Sequence, residues 1–126
     1  MITCAMCDDE MPFAEQLRSL VMAYAKKKRV ELQAETFASA EELLEEIENG
    51  AGFEILFLDI EMRKMDGIEL GKKLRELSYQ TLIIYVSGYD QYMRQLFEAE
   101  PFRFLSKPLK QEELENVLDK AFERIS

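Results

Sequence analysis

Four apolar runs in this chain each end on side chains able to do chemistry. Ile2 to Cys7 runs into Asp8, Asp9 and Glu10, and Glu54 to Leu58 runs into Asp59. Leu82 to Val86 ends at Ser87, and Phe102 to Ser106 runs into Lys107 and Pro108. In a parallel sheet such ends emerge at one rim, where α/β proteins build their sites. Three carboxylates gathered there are unfavourable alone: at about 5 Å and an effective dielectric near 20, each pair repels by about 3 kcal/mol. A divalent cation relieves this, and a hydrated carboxylate set suits magnesium. The metal would then draw in an anionic phosphoryl donor. Asp59, at a strand tip, is placed to attack phosphorus and form an acyl phosphate. Lys107 offers an ammonium, and Ser87 a hydroxyl hydrogen bond, to the transferred oxygens. An aspartate alone at position 59 would be an ordinary cap or turn residue; suitable groups on four successive run ends point to a site. The Lys107-Pro108 bond can be cis at modest cost, which re-aims the lysine, and Pro108 also opens the last helix.

The elements that must position these groups alternate in period. Ile2 to Cys7 reads as a strand, and Phe13, Leu17, Leu20 and Tyr24 mark one helix face, with Pro12 in its first turn. Val30, Leu32, Ala34 and Thr36 alternate with Glu31, Gln33 and Glu35, giving a strand with one wet side. Ser39 and Glu42 form a capping-box pattern before Leu43, Leu44 and Ile47, and Asn49-Gly50 stops that helix. Ile55 to Leu58 is the third strand. Asp66 and Glu69 open a helix carrying Leu70, Leu74 and Leu77. Thr81 to Val86 is the fourth strand, Asp90 caps a fourth helix with Met93, Leu96 and Phe97, and Phe102 to Leu105 is a short fifth strand. Leu114, Val117, Leu118, Ala121 and Ile125 line a fifth helix. Strand then helix, five times over, predicts a five-stranded parallel sheet with helices on both faces. The first, third and fourth strands are apolar on both sides and therefore central; the second and fifth suit edges. Order 2-1-3-4-5 satisfies this and puts Asp8, Asp9 and Asp59 at its switch point.

Bulk properties narrow the function. The 126 residues suffice for one domain with a real core. A net charge of −9 argues against direct nucleic-acid binding, because phosphates would be repelled. No apolar run approaches a membrane span and no signal peptide is visible, so the expected location is cytoplasmic, with no membrane partner. The basic run Lys26 to Arg29 fits a helix C-terminus, where cations complement the macrodipole. Cys4 and Cys7 match a redox spacing, yet residues three apart on a strand face opposite sides and cannot bridge. With no histidine in the chain, a zinc site lacks ligands, and both thiols read as buried apolar groups.

The chain resembles the receiver domain of bacterial two-component response regulators. The resemblance rests on Cys-Asp-Asp-Glu at 7 to 10, Leu-Asp-Ile-Glu-Met at 58 to 62 and Met-Asp-Gly-Ile-Glu-Leu at 65 to 70. Val-Ser-Gly at 86 to 88 and Phe-Leu-Ser-Lys-Pro-Leu at 104 to 109 complete it. It covers the whole chain and implies one receiver domain over residues 1–126, without an effector domain. It implies that Asp59 accepts a phosphoryl group from a sensor histidine kinase, with Mg2+ held by Asp8, Asp9, Asp59 and the backbone carbonyl of Glu61. Asp9 would be a direct ligand and Asp8 one acting through water. Lys107 would pair with the phosphoryl group, and Ser87 and Phe104 would be the switch hydroxyl and switch aromatic. The face of the fourth helix, fifth strand and fifth helix would change its partner preference, including homodimerisation. The stretch from Phe97 to Pro108 is similar to receivers that precede a LytTR-type DNA-binding domain. In three places the chain departs from the family pattern. Arg63 replaces a frequent proline, which predicts a looser loop; Gly88 replaces a small alanine; and Phe104 lacks a tyrosine hydroxyl.

Two other classes share parts of this chemistry. A magnesium phosphohydrolase with an aspartyl nucleophile would carry Asp-x-Asp after its first strand, whereas here Asp59-Ile60-Glu61 follows the third. A flavodoxin relative would need a Ser/Thr/Gly phosphate loop where Asp8-Asp9-Glu10 stands, the opposite charge for that task. The reading these weigh against is a phosphorylation-controlled signalling switch that catalyses only its own phosphorylation and dephosphorylation. It would either regulate transcription through a missing domain or act alone by protein contact.

Overall fold

The computed structural model describes residues 1–88 and 99–126. In chain order these form β1 (Ile2–Cys7), α1 (Met11–Lys27), β2 (Leu32–Phe37), α2 (Ala40–Glu48), β3 (Ile55–Leu58), α3 (Gly67–Glu76), β4 (Leu82–Ser87), β5 (Arg103–Ser106) and α4 (Gln111–Ile125). The five strands are parallel in the order β2-β1-β3-β4-β5. Four helices stand among the described residues where the sequence predicts five. The expected helix capped by Asp90 and carrying Met93, Leu96 and Phe97 lies outside them. Among the described residues no helix is long and apolar enough to cross a membrane.

The sheet has a core on each face, so the central strands carry apolar side chains on both sides. Ala5, Cys7, Leu56, Leu58, Ile83 and Tyr85 point to α2 and α3. Cys4, Met6, Ile55, Phe57, Ile84 and Val86 point to α1 and α4. The two cysteines are therefore buried in opposite cores, both free, with their thiols pushed far up by burial. Edge strand β2 keeps Gln33 and Glu35 exposed, as alternation demands. On α1 the buried stripe is Ala14, Leu17, Val21, Tyr24 and Ala25. Phe13 and Leu20, expected on that face, lie half-buried along its border.

Local chemistry sets the helix ends. The Asp66 carboxylate accepts from Glu69 N at 2.8 Å, and Glu69 accepts from Asp66 N at 3.2 Å, a complete capping box on α3. On α2 the box is displaced: the Ser39 hydroxyl accepts from Glu42 N, but Glu42 takes the amide of Ala38 instead of the cap's own. Lys26 and Lys27 occupy the last turn of α1.

At the N-terminal rim of the sheet, Arg75 gathers four carbonyls. Its Nε donates to Ala99 O at 2.7 Å and its Nη1 to Tyr79 O at 3.1 Å. Its Nη2 donates to Thr81 O at 3.1 Å and Glu100 O at 3.0 Å.

One core contact is tight enough to test. The buried Tyr85 hydroxyl donates to Gly67 O at 3.3 Å and lies against Gly71, where a Cβ would overlap the hydroxyl and crowd Ala99. Gly71→Ala is expected to cost about 1–3 kcal/mol by overpacking. Adding Tyr85→Phe removes the colliding oxygen, so the double variant should lose less than the sum of the two single losses. Urea unfolding of all four proteins measures the coupling; strictly additive losses would contradict the contact.

Candidate functional site

At the C-terminal rim, β1 delivers Asp8 and Asp9, and β3 delivers Asp59. Cys7 pairs with Leu58 in register, so the acids leave adjacent strands side by side. The Asp59 amide donates to Cys7 O at 3.0 Å, extending the ladder to the aspartate itself. Asp8 and Asp59 are buried, at 4% and 6% exposure, while Asp9 is exposed. Each of the three offers a carboxylate oxygen within 4.8 Å of the others. An all-oxygen, all-anionic set that is partly open to water fits a hard divalent cation such as magnesium.

Lys107 arrives from the far side of the sheet. Its amide donates to Ser87 O at 3.0 Å, prolonging the β4–β5 pairing in which Ser87 stands opposite Ser106. The Lys107-Pro108 bond is cis. The Lys107 Nζ donates to Asp8 Oδ2 at 2.9 Å and stands 3.6 Å from Asp59 Oδ1, a charge contact and not a hydrogen bond. The other Asp8 oxygen accepts from Glu10 N at 2.8 Å. The Lys107 amine lies over the Phe13 ring, 4.3 Å from its centroid, a cation–π contact.

Electrostatics follow from this crowding. Burial, then the charge of Asp8, push the Asp59 carboxyl up to about 7; Lys107 opposes the shift and Asp9 adds to it. Burial pulls Lys107 down, but its hydrogen bond to Asp8 and the charges of Asp59, Asp8 and Glu10 outweigh it, so the amine is held above its ordinary value. The site is thus short of positive charge.

Ser87 is buried at the end of β4, and Phe104 on β5 is half-buried against the core that holds Tyr85. Glu61 is exposed and borders a rim cavity with Asp9, Arg63 and Asp66. Three contributors escaped the sequence reading. Gly67 opens α3 where a Cβ would overlap the Asp59 carbonyl oxygen. Glu41 on α2 accepts from Met65 N at 2.9 Å, which holds its carboxyl below the ordinary range. Phe13 looks like a core-stripe residue yet also supports Lys107. Only for Gly67 was there a signal, its place directly after the N-cap Asp66.

A doubly wound parallel sheet with an acid cluster at its switch point defines a flavodoxin-like α/β fold. Residues 5–119 match the response regulator receiver domain family, and the chain belongs to it. It is 25% identical over 120 residues to sensory transduction protein LytT of Bacillus subtilis, covering 95% of this chain and 48% of the relative. It is 34% identical over 68 residues to transcriptional regulatory protein LytR of Staphylococcus aureus, covering 54% of this chain and 28% of that protein. The chain thus spans about half the length of the curated relatives it matches along its length. The response regulatory domain of protein mrkE from Klebsiella pneumoniae superposes with a TM-score of 0.86 at 18% identity, over 98% of this chain and 97% of that one.

The raised Asp59 carboxyl has a consequence for stability. Its ordinary value is 3.8 and its folded value about 7, so ionised Asp59 destabilises the metal-free fold fully above that upper value. The destabilisation is relieved as pH falls towards the lower one. In chelator, the urea midpoint of the wild type should therefore rise on going from pH 8 to pH 6, relative to Asp59→Asn, which lacks the titration. Parallel pH profiles for the two proteins would contradict the shift.

Proposed function

We propose that this chain is the phosphorylatable switch of a two-component response regulator, accepting a phosphoryl group on Asp59. The observation that carries the reading is the convergence of Asp8, Asp9 and Asp59 with Lys107 at one rim. The donor is a sensor histidine kinase, with which receiver domains interact, or a small phosphodonor. An Asp59 oxygen attacks phosphorus as the donor bond breaks, and the electron pair departs with the leaving group. Lys107, already 3.6 Å from Asp59, shifts towards the phosphoryl oxygens and offsets their charge. The Ser87 hydroxyl donates to another of those oxygens. Magnesium, held by Asp8, Asp9, Asp59 and the Glu61 backbone carbonyl, supplies charge neutralisation when bound.

The switch then runs through Ser87 and Phe104. Ser87 is drawn to the phosphoryl group, and Phe104 turns further into the core it already borders. The output face includes β5 and α4, where a homodimer would form; the remainder of the expected face lies outside the described residues. We assign the output to transcription, through a part of the protein beyond this chain and in the manner of the LytTR-type subfamily, with the domain itself cytoplasmic and not contacting DNA. The chemistry is confined to phosphorylation and dephosphorylation of the chain itself.

Incubation with acetyl phosphate and magnesium should add one acid-labile phosphoryl group, read by intact-mass spectrometry. Asp59→Asn should reduce labelling to background, chelator should do the same, and Lys107→Ala should slow it by about tenfold or more. Asp59→Asn labelling as fast as the wild type would overturn the assignment.

A further inference from the structure

The loop between β3 and α3 is held at four points. Met62 is buried, with its Sδ 3.6 Å from Cys7 Sγ. Met65 N donates to Glu41, and Asp66 forms the capping box. Gly67 N donates to Ile60 O at 2.9 Å. The loop in which Arg63 stands in place of proline is thus anchored on both sides of that residue. Between the fixed points only Glu61, Arg63 and Lys64 are exposed, and Lys64 takes a positive φ of 61°.

Arg63 borders two cavities at the acid rim, and Asp9 borders both as well. In the first, Asp9 and Glu10 face Arg63 and Lys64; in the second, Asp9, Glu61 and Asp66 surround Arg63. Arg63 makes no ion pair among the described residues, despite these acids. Among the described residues the site thus has a strongly anionic floor, the half-buried Lys107 amine, and the unengaged Arg63 guanidinium on its outer wall.

In-line transfer to Asp59 sends the leaving group outward, away from the floor, and Arg63 stands on the outer wall beside Asp9, the exposed member of the acid cluster. For an acyl phosphate, the Asp59 oxygen–phosphorus bond forms, the acyl oxygen–phosphorus bond breaks, and the pair leaves on a carboxylate. That charge develops among acids and needs a nearby cation. For phosphoramidate, the phosphorus–nitrogen bond breaks with its pair going to an already protonated nitrogen, which leaves as neutral ammonia. A guanidinium gives that step no comparable help.

Resting on the acceptor role proposed for Asp59, we infer that Arg63 is a specificity-determining residue that favours phosphodonors whose leaving group departs as an anion, acyl phosphates above all. Its planar, permanently charged fork matches a carboxylate.

The test measures the second-order rate constant for phosphorylation by acetyl phosphate and by phosphoramidate in wild type, Arg63→Ala and Arg63→Lys, with magnesium affinity by titration calorimetry and the urea midpoint of each. Arg63→Ala should lose about three- to tenfold with acetyl phosphate, as for a single charge-assisted contact, and less than about twofold with phosphoramidate. Arg63→Lys should recover part of the loss, and the acetyl phosphate effect should shrink at high salt. Magnesium affinity should be unchanged or slightly tighter in Arg63→Ala. Equal loss with both donors, no loss with either, or a loss that tracks weakened magnesium binding would each overturn the inference. Labelling of Asp59→Asn would instead overturn the acceptor role, whatever Arg63 does.

Discussion

The structure turns on a charge imbalance at one end of the sheet. Among the described residues three carboxylates meet one ammonium, and the ammonium is shared: Asp8 holds it by a hydrogen bond, while Asp59 feels it only as a neighbouring charge. Two of the acids are buried, so solvent does little to screen them. Burial and the charge of Asp8 oppose the ionisation of Asp59, the acid at the tip of β3. A site in this condition gains from a bound cation, whose charge would also offset that of an incoming phosphoryl group.

The rest of the fold keeps those groups from relaxing apart. The β1–β3 ladder runs right up to Asp59, and the β4–β5 ladder right up to Lys107, so each charged side chain hangs from a backbone already fixed by hydrogen bonds. The loop beyond Asp59 is pinned by Glu41 and by the close approach of Gly67 to the Asp59 carbonyl. Beneath Ser87, Tyr85 fills the space beside Gly71 and ties β4 to α3. Dense packing of this kind favours discrete rearrangement over gradual deformation, as a switch requires.

Much of this was legible in the sequence, for a physical reason. Strands buried on both faces read as continuous apolar runs, so β1 and β3 fall where the pattern puts them, and the polar residue after each run is automatically at the rim. Boundaries were less legible. Val30 reads as strand, but its amide is taken by Ala25 O after a turn in which Arg29 has a positive φ, so β2 begins at Leu32. Likewise β4 and β5 each run one residue further, because Ser87 and Ser106 pair with each other. The contact between Glu41 and Met65 leaves no periodic trace, since a carboxylate on an acidic helix looks the same whether it faces solvent or a distant amide. The double duty of Phe13 was hidden for the converse reason, an aromatic on a helix stripe being fully accounted for by the core.

β5 is only four residues long and lies at the edge, the kind of strand whose pairing is weakly specified. What indexes it is found at the other end of the molecule, where Arg75 binds the carbonyls of Ala99 and Glu100 together with those of Tyr79 and Thr81. One guanidinium thus sets the starting line of β5 against that of β4. A slip of a single residue would shift Lys107 by about 3.3 Å and turn its side chain to the opposite face. The alignment of the amine with its carboxylates is therefore calibrated from the bottom of the sheet, by a cation that never approaches them.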